Sequence, residues 1–128
     1  MRVLLDSHAL LWWILDTSQL THNAREVVAR NSESVLVSAV SAWELAIKFR
    51  LGRLPDAANL ISDFSSAMEN EGFQVLAVTA AHGIRAGLLP LHHKDPFDRM
   101  LVAQAQAENV PIISNDTVFD GYGVRRLW

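Results

Sequence analysis

The sequence predicts an α/β fold, a parallel Rossmann-like sheet of four to five strands flanked by helices. Three observations predict it. Short apolar runs alternate with longer helical stretches along the whole chain. The strand-like runs are hydrophobic almost without interruption, as strands covered on both faces are. The length, 128 residues, fits one domain over 1–128 and leaves little room for a second. Strands separated by helices need crossover connections, and crossovers make neighbouring strands parallel.

Each element can be placed in turn. Arg2 to Asp6 (RVLLD) reads as a buried strand ending on an acid. His8 to Leu15 is apolar almost all round, the mark of a buried helix. Thr21 is positioned to cap a helix through Asn31, and Ser34 to Ser38 (SVLVS) is a second strand. Ser41 to Leu51 reads as a helix stopped by Gly52. Pro55 and Asp56 open another that runs to about Gly72. Phe73 to Val78 is a third strand, Thr79 caps the next helix, and Pro90 closes it. Asp95-Pro96 is a strong helix start, a capping acid with proline at the first helical position. That helix runs to about Asn109. Val110 to Ser114 (VPIIS) is a fourth strand and Val124 to Leu127 a short fifth. No repeat, low-complexity tract or linker interrupts the pattern.

Composition narrows the class. Hydrophobic residues make up 50% and charged residues 20%, enough to build a core and too apolar for general disorder. Mean hydropathy is +0.14, which predicts apolar surface buried against a partner. The absence of cysteine excludes a disulfide scaffold, a cysteine nucleophile and a thiolate metal site. A net charge of -3 and a pI near 5.9 argue against holding nucleic acid by bulk electrostatics. They leave room for cutting it with cations held by carboxylates. The longest apolar run, Ala9 to Leu15, falls far short of the ~20 residues of a membrane span. Asp6 interrupts the N-terminal apolar stretch, and no small-residue cleavage site follows, so no signal peptide is expected. A cytoplasmic location is expected.

The acids carry the functional signal. Asp6 ends the first strand and Asp116 follows the fourth. In open parallel sheets, ligands bind beyond these carboxyl ends. Asp98 lies in the first turn of the helix begun by Asp95-Pro96, and Glu44 lies in the first turns of the helix after strand two. Helices that follow parallel strands start at that same edge, so all four carboxylates are predicted at one rim. Without a counter-cation, some of them would have to stay protonated. Mg²⁺ or Mn²⁺, which prefer oxygen ligands, would relieve the repulsion. Such a cation suits phosphodiester hydrolysis, where it activates water and stabilises charge on the phosphate and the leaving oxygen.

Each acid also has a purely structural reading. Ser41-Ala42-Trp43-Glu44 has the form of a capping box, and Glu44 stands four residues before Lys48, the favourable order for a helical ion pair. Taken alone, Glu44 reads as structural. Asp98 suits the helix dipole, and Asp116 suits a turn beside Asn115. Asp6 has no evident structural purpose beyond capping the next helix, as some doubly wound folds do. Convergence of the four makes the case.

The same residues resemble a PIN domain, in particular the VapC-type toxin ribonucleases of toxin–antitoxin pairs. LLDSHALLWW resembles the segment with the family's first aspartate, and SAVSAWELAIK the segment with its glutamate. HKDPFDRMLVAQA resembles the segment with the third acid, and IISNDTVFDGYGV the closing strand with the fourth. The resemblance covers essentially the whole chain. By position it places the acidic quartet on Asp6, Glu44, Asp98 and Asp116. It implies a PIN-like fold, Mg²⁺ with Mn²⁺ as a substitute, an RNA substrate, a homodimer and a small cognate antitoxin. Ser114 stands where the family often has threonine, and Asp95, the rival of Asp98, is assigned to the cap.

Other chemistries fit less well. His8, His22, His82, His92 and His93 lack zinc-site spacing. His8 and His93 lie near the predicted rim but read first as surface or core-edge residues. Ser7 has no serine-hydrolase context, and no phosphate-binding glycine loop is present. Trp12, Trp13 and Trp43 read as core or dimer contacts. Lys48, Arg50, Arg53, Lys94 and Arg99 flank the acids and are candidates for RNA phosphate contacts, with a solvated helix face as the alternative for Arg50 and Arg53. Two rival functions remain. One is a catalytically silent PIN-like binding module. The other is a phosphatase or phosphotransfer domain with Asp6 as nucleophile, whose usual second acid two residues on is here His8.

Overall fold

A computed structural model describes residues 1–128. Its strands are β1 (Val3–Leu5), β2 (Val35–Ser38), β3 (Gln74–Leu76), β4 (Ile112–Ile113) and β5 (Arg126–Leu127). The helices are α1 (Ser7–Leu15), α2 (His22–Arg30), α3 (Ala39–Arg50), α4 (Ala58–Ser62), α5 (Phe64–Glu71), α6 (Ala80–Leu88) and α7 (Pro96–Glu108). The strands form one sheet in the order β3-β2-β1-β4-β5, with every neighbouring pair parallel. The order runs outward from β1 in both directions, so the crossovers change side between β1 and β4. That switch point leaves a crevice beyond the strand ends, where sheets of this type bind ligands.

Alternation along the strands divides the core in two, because successive side chains point to opposite faces. Val3, Leu5, Val35, Val37 and Ile113 pack on one face with Leu10, Leu45, Met68 and Phe73. Leu4, Leu36 and Ile112 pack on the other with Leu101, Val102, Ala105 and Phe119. β1, β2 and β4 are buried throughout, as continuous hydrophobicity predicts. β3 departs from that expectation. It is an edge strand whose Gln74 and Val75 are exposed.

The predicted caps at Thr21, Thr79 and Asp95 are all present. Thr79 forms a full capping box with His82, whose Nδ1 accepts the Thr79 N–H. Three expectations are corrected. The helix carrying Glu44 begins at Ala39, because the Ser38 hydroxyl takes the N-cap position and accepts from Val40 N. Glu44 therefore sits in the second turn, and Ser41 makes no capping bond. The helix expected from Pro55 to Gly72 is a 3₁₀ turn over Pro55–Ala57 followed by α4 and α5. It breaks at Asp63, which leaves helical geometry at φ −148° and ψ 72° and caps α5 through Ser66 N. The fourth strand is also shorter than Val110 to Ser114. No helix is long and apolar enough to cross a membrane.

Candidate active site

All four predicted acids lie toward the carboxyl edge of the sheet, Asp6, Asp98 and Asp116 at helix starts and Glu44 in the second turn of α3. Asp6 follows β1, its backbone N–H bonded to Ile113 of β4, and it caps α1 by accepting from Ala9 N at 2.7 Å. Asp6 thus has a structural purpose after all. Glu44 is buried one turn into α3. Asp98 occupies the first turn of α7 and follows Asp95, whose carboxylate accepts from the Phe97 and Asp98 N–H groups. Asp116 follows β4 and caps the 3₁₀ helix Thr117–Tyr122 by accepting from Val118 N.

Their charges reach one another. Burial pushes the Asp6 carboxyl from 3.8 up to about 6, and the Glu44 and Asp116 charges add to the rise. The Ser114 hydroxyl and the Ala9 N–H pull the other way. Burial likewise raises Asp98 from 3.8 to about 6, helped by Asp95 and Glu44 and opposed by the bond from His93. His8 is held below its ordinary value, first by burial and then by Lys48, while Glu44, Asp98 and Asp116 oppose the shift. One imidazole therefore senses three of the four acids and the lysine.

The acids are engaged differently. Glu44 has both oxygens occupied, Oε1 by the Ser7 hydroxyl at 2.5 Å and Oε2 by Lys48 at 2.6 Å. The predicted ion pair with Lys48 is present. Asp98 accepts from His93 Nε2 at 2.8 Å through Oδ2, while no hydrogen bond reaches Oδ1. The ligand atoms of His93, Asp95 and Asp98 lie within 4.8 Å of one another. Asp6, Glu44 and Asp116 lie outside that tight group. An all-oxygen donor set with two carboxyls raised by desolvation and mutual repulsion fits a hard divalent cation.

Several flanking residues play other parts than expected. Arg99 is buried and donates to the carbonyls of Ala86, Gly87, Leu89, Pro90 and His93, so it cannot reach an RNA phosphate. Lys48 is committed to Glu44. Arg50, Arg53 and Lys94 remain exposed. Trp43 is not a core residue. It is 61% exposed and stands edge-on to Phe97 at 5.1 Å, beside the acids that follow each of them. Trp13 does pack into the core, against Phe73, and donates to Glu71. Sequence reasoning missed the engagement of Ser7 and His93. Nothing in the local pattern links Ser7 to Glu44, 37 residues away. The spacing of His93 from Asp98 was a readable signal, since the pair flanks a helix start.

Known proteins share this fold. The sequence model of the PIN domain family matches residues 3–124. Ribonuclease VapC16 of Mycobacterium tuberculosis is 39% identical over 61 residues, covering 48% of this chain and 43% of that protein. Ribonuclease VapC22 of the same organism is 27% identical over 115 residues, covering 89% of this chain and 86% of that protein. Among solved structures, DNA-bound VapBC from Salmonella typhimurium superposes with a TM-score of 0.72 at 16% identity, covering 98% of this chain and 96% of that one. VapBC2 from Rickettsia felis, bound to a promoter DNA fragment, gives 0.69 at 13% identity with both chains fully covered. At such identities the structural likeness shows the fold.

Proposed function

The chain belongs to the PIN domain family, and from that premise we propose that it is a divalent-cation-dependent endoribonuclease, the toxin of a toxin–antitoxin pair. The carrying observation is the approach of Asp6, Glu44, Asp98 and Asp116, from four separate segments, to the switch-point edge of the sheet. The names of VapC16 and VapC22 support the same activity. Mg²⁺, or Mn²⁺ in its place, supplies charge neutralisation and Lewis acidity toward the phosphodiester when bound.

Asp98 and Asp116 would hold the cation through the oxygens that no protein donor reaches. Asp6 would hold it directly or through water while its Oδ1 keeps the α1 cap. Glu44, with Ser7 and Lys48 on its two oxygens, would complete the shell or orient the attacking water. With a phosphate placed at that rim, water would attack phosphorus in line and the P–O bond to the leaving oxygen would break. That oxygen would take up a proton as the water gives one up; positioning and charge stabilisation carry such reactions.

A small cognate antitoxin is the proposed partner, supported by likeness to chains solved as VapBC complexes. A homodimer is proposed from the exposed apolar residues Ile84, Leu88 and Leu91, which a monomer would leave in water. The proposed location is the cytoplasm. The test is cleavage of total RNA by purified protein with Mn²⁺. Asp98→Asn and chelation should each abolish it, with the circular dichroism spectrum unchanged. Full cleavage by the variant, or in EDTA, overturns the reading.

A further inference from the structure

We propose that His93 is a positioning residue for Asp98: its imidazole fixes one carboxylate oxygen so that the other faces the cation. The proposal rests on the functional reading above and deepens it. His93 is held through its backbone as well as its ring. Its backbone N–H donates to Tyr122 Oη at 3.0 Å, and its carbonyl accepts from Arg99 at 3.2 Å. The same two side chains also hold Pro90, whose carbonyl accepts from Tyr122 Oη at 2.9 Å and from Arg99 at 3.0 Å. The segment from Pro90 to His93 is thus held at both ends by one phenol and one buried guanidinium.

What the clamp delivers is the bond from His93 Nε2 to Asp98 Oδ2 at 2.8 Å. A carboxylate can only accept, so Nε2 carries the proton in this bond. One oxygen of Asp98 is fixed, and Oδ1 is left without a donor. A first-turn aspartate without this bond could swing its carboxylate among rotamers or turn toward the helix-start N–H groups that Asp95 now caps. Groups that orient a ligand in this way typically account for roughly 10- to 100-fold in metal affinity. Direct ligation by His93 would require Nε2 to give up its proton and its bond to Asp98.

The experiment is calorimetric titration of Mn²⁺ into the full chain and into His93→Leu, His93→Gln, Asp98→Asn and the double variant His93→Leu/Asp98→Asn. Glutamine can place an amide N–H near the position of Nε2. The expected result is a roughly 10- to 100-fold weaker Mn²⁺ dissociation constant for His93→Leu, recovery toward the parent value in His93→Gln, and no further loss from His93→Leu once Asp98 is asparagine. Melting curves without metal confirm that each variant is folded. Equal Mn²⁺ affinity in His93→Leu and the parent overturns the proposal alone. An added loss from His93→Leu in the Asp98→Asn background means direct ligation, which also overturns it. A folded parent chain that takes up no Mn²⁺ overturns the functional reading, and this proposal with it.

Discussion

Replacing Asp6 with asparagine should make the metal-free protein more stable at neutral pH, although it removes an acid of the site. Asp6 titrates at 3.8 when unfolded and at about 6 in the fold, because burial and the Glu44 and Asp116 charges disfavour its anion. An acid with a raised folded pKa is no burden below its unfolded value, where both states are protonated. The cost of ionising it grows as pH rises from 3.8 and is complete above about 6. The rise from 3.8 to about 6 corresponds to about 3 kcal/mol of stability lost at neutral pH. Asparagine carries no charge and is as good an N-cap as aspartate, so the bond from Ala9 N at 2.7 Å has a ready acceptor. Asp6→Asn should therefore gain about 3 kcal/mol at about pH 7.5, shrinking to about 1 kcal/mol near pH 4.5. For a chain of this size that is on the order of 10 °C in melting temperature at the higher pH. Thermal melts followed by circular dichroism in EDTA at the two pH values measure it. A variant that melts no higher than the parent at pH 7.5, or a gain independent of pH, would refute the electrostatic account.

Protons and cations should compete for the same carboxyls. Mn²⁺ affinity should rise with pH through about 6, where Asp6 and Asp98 are half ionised, and level off roughly one pH unit above, as a pH series of titrations would show. A flat profile between pH 5 and 7 would exclude both acids as ligands. Arg99→Met should destabilise the protein by about 3 kcal/mol, because it strands buried carbonyls that a charged donor now satisfies. Chemical denaturation checks this, and a loss below about 1 kcal/mol would show that water replaces the guanidinium.

Much of the fold was legible because its signals are local. Asp95-Pro96 and Thr79 mark helix starts within a turn of the residues they cap. β1, β2 and β4 announce themselves by apolar runs. The break at Asp63 was not legible, since Ile61 and Phe64 keep a helical spacing through it. Arg99 misled for a physical reason. Arginine is mostly exposed, and a basic residue beside acids reads as a phosphate contact. Yet α6 ends at Leu88 and Leu89 with no glycine to turn back and satisfy its last carbonyls. Those orphaned acceptors needed a donor, and Arg99 supplies it from the next helix. The acids themselves were readable because strand ends and helix starts place them. The partner of Glu44, Ser7, depends on packing between segments 37 residues apart.

The seating of Asp6, Asp98 and Asp116 at helix starts has a consequence beyond ligand geometry. The positive end of each helix offsets part of the negative charge gathered at the rim. On the proposed reading, the polypeptide would take its shape before it is loaded, and its cutting would then be set by how much free divalent ion surrounds it.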